Sequence, residues 1–199
     1  GLCVAVRGGE PAGRARAAAR AQANQAFRDA VAPARQALVA ALAAATSGPQ
    51  RRAAKIAYGD AILPAKVARK AALQSARIDY VEAAEQARID FLTIRGAHPE
   101  VVASARYRQA VNLATAEYRA AVTDAQATFR IQSAPIRITT RTAGSSASAG
   151  QVSHGAAESI RIATADITGV FRSQVSSARA TYQAKISVAR KILGTSLAT

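Results

Sequence analysis

Two histidines, one cysteine, a run of serines and a few close carboxylates are the side chains here that could ligate a metal, attack a carbonyl or move a proton. Metal ligation needs several such groups converging on one point, and short characteristic spacings announce it. His98 sits beside Pro99 and His154 beside Gly155, and neither has a Cys, His or carboxylate at ligand spacing. The serines gather between 145 and 153 without a nucleophile-elbow pattern, and no Gly-rich phosphate loop precedes a Lys-Ser or Lys-Thr pair. Glu82 and Glu85 have helical spacing and read as solvent-side surface charge rather than an acid/base pair. Cys3 is the single cysteine, which excludes an intrachain disulfide and leaves an inert thiol or an intermolecular bridge. No catalytic, cofactor-binding or metal residue is assigned, no small-molecule substrate is expected, and the chain is expected not to be an enzyme.

What recurs instead is a structural phrase. Tyr107, Tyr118 and Phe129 are eleven residues apart, and Tyr107 and Tyr118 each open a segment with Ala seven residues on. The phrase returns from Phe27, Tyr58, Tyr80, Phe171 and Tyr182, while Phe91 falls in step with Tyr58 and Tyr80 through Arg69. All nine aromatic residues of the chain lie on this grid. Eleven residues over three turns is about 3.67 per turn, close to the roughly 3.6 of an α-helix, so the stripe stays on one face. With the aromatic at zero, positions plus four, plus seven and plus three fall at about +33°, −33° and −65°. In the eight copies that start at 27, 58, 69, 80, 107, 118, 171 and 182, plus seven is always Ala, including Ala114 and Ala125, and plus four is apolar, from Val31 to Ile186. Plus three is Ala in six of these eight, with Gln174 and Lys185 as the departures. A face of one ring, one aliphatic and small residues lets two helix axes approach closely, the ring supplying most of the buried area.

Charge is sorted around the same wheel. Arg28, Arg108, Arg119, Arg130 and Arg172 follow the aromatic directly, and Arg35, Arg88, Arg179 and Arg190 stand at plus eight, all on one flank. Acids such as Asp29, Glu82, Asp90, Glu117 and Asp124 take the back and the other flank. Flanking charges of this kind set partner and orientation in helical coils.

Half of the chain is hydrophobic, but it has no Trp and no Met, and much of its apolar content is Ala, which contributes little per residue on burial. Partner helices, within the chain or from further copies, are expected to supply the rest. The net charge of +15 fits nucleic acid, a cell-wall polymer or an anionic surface, or else arginine used as a helix-compatible surface residue. The arginines are dispersed, and the rings lie on the apolar face rather than beside them as a stacking platform requires. Eleven-residue amphipathic repeats can also lie flat on a membrane, though this face is poor in large residues. No stretch reaches the roughly twenty apolar residues of a membrane span. A chain that opens on Gly1 reads as processed, which tilts the expected location toward the cell surface or outside.

The expected fold is all-α: long amphipathic helices with eleven-residue repeats packed as antiparallel helical hairpins or a bundle. Residues 1–13 read as an irregular arm, 14–132 as the repeat region with helices at about 14–46, 50–95 and 100–132, and 156–199 as a last repeat helix ending at Gly194. Pro33 and Pro64 occupy the same repeat position and should kink or split their helices. Residues 134–142 alternate and are β-branched, which predicts a short extended segment, with a flexible loop to 155. The expected role is a self-associating structural protein, such as a filament, sheath or layer subunit; the alternative is a basic helical module for a polyanion or a coat on a lipid surface. The interaction residues are Phe27, Tyr58, Tyr80, Phe91, Tyr107, Tyr118, Phe129, Phe171, Tyr182, Ala114 and Ala125, with the nine arginines above as a basic flank.

Overall fold

A computed structural model describes residues 9–146 and 154–197. The fold is all-α, with no β-sheet among the described residues. Its helices are α1 (Gly9–Ala44), α2 (Gly48–Ala61), α3 (Leu63–Ile94), α4 (Pro99–Ser146) and α5 (His154–Leu197). Because α2 and α3 meet at the single residue Ile62, the chain forms four helical arms.

Local chemistry accounts for the joints. Ser47 caps α2: its hydroxyl accepts from the Gln50 N–H at 3.4 Å, while Gln50 Oε1 accepts from the Ser47 N–H at 3.1 Å. This reciprocal box satisfies two amides that a helix start leaves without partners. Between α3 and α4 the chain turns on Gly96, whose φ of 67° suits glycine, and Pro99 opens α4 with Glu100 in its first turn. The arm predicted as one helix over 50–95 is interrupted at Ile62, since Pro64 brings no N–H and its ring crowds the carbonyl four residues back. The interruption is slight: the Ile62 N–H still bonds the Tyr58 carbonyl, and its side chain is buried.

Of the kink or split expected at Pro33 there is no split: α1 runs through it, and its ring is exposed, where the carbonyl it leaves without a donor can meet water. Other expectations are corrected. The extended segment expected at 134–142 is helical, because α4 continues through Pro135 to Ser146. A lone strand has no neighbour to bond its amides, whereas an established helix closes one bond per added residue, and that outweighs a β-branched run. Helix also takes both ends of the predicted loop, at 143–146 and 154–155, while 147–153 lie outside the described residues, as do 1–8 of the predicted arm with Cys3. At the other end α5 runs past Gly194 to Leu197, and at the start α1 begins at Gly9.

Packing follows chain order: α1 lies against α2 and α3, α3 against α4, and α4 against α5. Contacting numbers rise on one helix as they fall on the next, so these neighbours run in opposite directions. Arg69 meets Phe27 where Arg16 meets Tyr80, and Phe129 meets Phe171 where Tyr118 meets Tyr182. No described helix is long and apolar enough to cross a membrane.

Ser47→Ala should lower stability by about 1 kcal/mol through loss of the cap. Gly96→Ala should also cost about 1 kcal/mol, because alanine resists a positive φ. Urea unfolding followed by circular dichroism checks both.

Candidate interaction faces

The aromatic grid becomes a row of contacts between arms. On α4 and α5, Tyr118 and Tyr182 have ring centroids 5.5 Å apart, and one repeat away Phe129 and Phe171 are 5.4 Å apart, both tilted. The next step of the same register brings Tyr107 to Leu193, and both line one groove. Between α1 and α3 each ring meets a guanidinium instead. Arg16 lies 4.9 Å from the centroid of Tyr80, and Arg69 lies 5.2 Å from that of Phe27 while donating to Asn24 Oδ1 at 2.8 Å. That register sets Leu38 level with Tyr58. Arg95 lies over Phe91, within its own turn. All nine rings are half-buried. The expectation that arginines stand apart from the rings therefore needs correction. Extending the grid back from Phe27 lands on Arg16, so the signal was there, but in a residue type not counted as part of the row.

The alanines at plus seven sit beside these rows. Ala114 is 2% exposed and Ala125 3%, and Ala12, Ala23, Ala76 and Ala189 at the same position are also buried. Ala114, Ala125 and Ala178 line a groove between α4 and α5 together with Tyr118 and Tyr182. Gln174 and Lys185, the departures from alanine at plus three, lie on this groove, and Lys185 Nζ crosses it to Glu117 Oε2 at 2.5 Å. Long polar side chains thus replace alanine where the open side of the groove has to be spanned.

A second face went unread. Ala105, Ala116 and Ala127 are buried and again eleven apart, at plus nine on the wheel, roughly opposite the rings. On α3 the same position carries Val67, Ile78 and the buried Ile89. Asn112 Nδ2 donates to Glu85 Oε1 at 2.6 Å and Gln109 Nε2 to Gln86 Oε1 at 3.2 Å, which fixes α3 against this side of α4. Glu85, expected on the solvent side beside Glu82, is half-buried in that contact, while Glu82 is exposed. An interior arm therefore uses two faces.

The basic flank is solvent-facing: Arg28, Arg35, Arg88, Arg108, Arg119, Arg130, Arg172, Arg179 and Arg190 are all exposed. The Arg161 side chain holds the Glu158 carboxyl below its ordinary pKa through a two-pronged contact of 2.6 and 2.8 Å on the surface of α5. His98 lies 3.9 Å from Glu100, both exposed. Among the described residues no three His, Cys, Asp or Glu side chains come together to hold a metal.

Ala114→Leu and Ala116→Leu, one on each face of α4, should each destabilise the chain by about 1–3 kcal/mol through overpacking. Ala83→Leu, on an exposed position of α3, should stay within about 0.5 kcal/mol of wild type. Equal stability of all three in urea titrations would contradict the close seams.

The chain matches no protein-family model, no curated protein and no solved structure.

Proposed function

We propose that this chain is a non-enzymatic structural element that associates with further copies through its alanine-rich, eleven-residue-repeat helices, paired as antiparallel hairpins. The product is a filament, sheath, layer or similar assembly. The observation that carries this is exposed area. The chain leaves 13264 Å² accessible, where a compact monomer of 20.6 kDa would leave about 8,900 Å². Its buried positions are mostly alanine, and among the described residues no side chain falls below 2% exposure. Such thin seams stabilise weakly, at roughly 25 cal/mol per Å² of apolar area. Association with further copies would cover more of that surface and stabilise the fold by mass action.

A second reading is favoured by the nine exposed arginines of the flank: a basic helical surface that tracks a polyanion such as nucleic acid or a cell-wall polymer. The rings at Phe27, Tyr80 and Phe91 are already covered by guanidinium groups, which supports a sequence-independent, electrostatic mode over base stacking. A membrane coat has less in its favour, since the faces are poor in large apolar residues.

Salt separates the two. Copies that each carry +15 repel, so raising ionic strength from low to physiological should increase the mass measured by light scattering. DNA affinity should fall steeply over the same range and should not distinguish sequences. A mass that stays monomeric at every salt, with DNA binding that persists at physiological salt, would favour the second reading. Negative-stain images at the higher salt should show ordered assemblies rather than single particles.

A further inference from the structure

Among the described residues α5 packs closely on α4 alone, so its outer face lacks the cover that α3 gives the far side of α4. Ile162, Ser173 and Ala184, eleven apart, form its centre and all are exposed. Val188 is 56% exposed and Ile162 50%. From 162 to 195 the only charged side chains in the centre row and its two flanking rows are Asp166 and Lys191, both exposed. No ion pair is present at either among the described residues.

These positions complement one another when the face meets itself in reverse. In the α4–α5 contact, one step of eleven on one helix matches one step of eleven back on the other. Applied to two α5 helices, a single register sets Asp166 of each level with Lys191 of the other, and Gly169 with Val188. It also sets Ser173 level with Ala184, each small enough for close approach. An interface related by a two-fold axis must be self-complementary in this way. We infer that a second copy of this chain docks on the outer face of α5 through its own α5, antiparallel, with Asp166 and Lys191 paired across the seam. This rests on the self-association proposed above and names its first contact.

The opposite end of the array is built differently. Arg14, Gln25 and Gln36 occupy the outer row of α1, and Arg28 Nη2 donates to Gln25 Oε1 while Gln25 Nε2 donates to Asp29 Oδ1. A polar outer row of this kind caps a helical array, as terminal repeats do. A polyanion would meet Asp166 on the α5 face, and a lipid surface would meet Ser173 at its centre, so a second copy fits better. The paired stripe would be roughly 50 Å long. At about 10 Å width it buries about 1,000 Å² in total, near the lower bound for a specific interface.

Charge reversal in the 199-residue chain at physiological salt tests this. Asp166→Lys or Lys191→Asp alone should weaken the dimer at least tenfold by sedimentation, and the double reversal should restore it. Circular dichroism should be unchanged in all three, since both positions are exposed. Ser173→Cys with Ala184→Cys, in a Cys3→Ser background, should give covalent dimers on mild oxidation. The two cysteines lie about 16 Å apart on one helix and cannot bond each other. A wild-type chain that is monomeric throughout overturns this contact and the self-association together. An oligomer indifferent to both reversals, without cross-linked dimers, overturns the α5 face alone.

Discussion

Close approach of helices over alanine is the constraint on which the rest of this molecule depends. Where Ala114 and Ala125 are buried, the axes of α4 and α5 lie near enough for Tyr118 to meet Tyr182 and Phe129 to meet Phe171. A larger residue at either alanine would push the axes apart and separate the rings that supply most of the contact area. The same economy makes the core shallow. Helices held by one ring and a few methyl groups per three turns bury little, so the arms line up in chain order with wide exposed faces rather than closing around a thick centre.

Several features were legible because a single residue type marks them. The eleven-residue spacing of the rings, the recurrent alanine seven residues on, and the breaks between helices near Ser47 and at Gly96 to Pro99 all appear as fixed letters. The α3–α4 face did not, because position plus nine is alanine on α4 at 105, 116 and 127 but Val67, Ile78 and Ile89 on α3. Small residues on one helix face large ones on the other, and such complementarity emerges only when the two helices are set side by side. The arginines over Phe27 and Tyr80 escaped notice for a related reason, since a long stem can be apolar packing while its head is charged. Residues 134–142 show the opposite failure: an alternating β-branched pattern was overridden by the helix already running into it.

Position in the array explains why equivalent helices differ outside. An interior arm such as α4 needs two small-residue faces, and it has them. Of the terminal arms, α1 presents on its outer face glutamine, arginine and aspartate bonded among themselves, whereas the outer face of α5 leaves Ile162 and Val188 in solvent. The excess of positive charge bears on the proposed assembly. It would keep free copies apart at low salt, and it is dispersed widely enough that screening at physiological salt would leave the weak apolar seams to decide association.

Sedimentation equilibrium of the unmodified chain over a wide range of concentration addresses self-association most directly. The mass should rise with concentration above that of one 20.6 kDa chain, with thermal stability rising in parallel as association favours the folded state. A single chain mass at every concentration, with a cooperative unfolding transition independent of concentration, would contradict it.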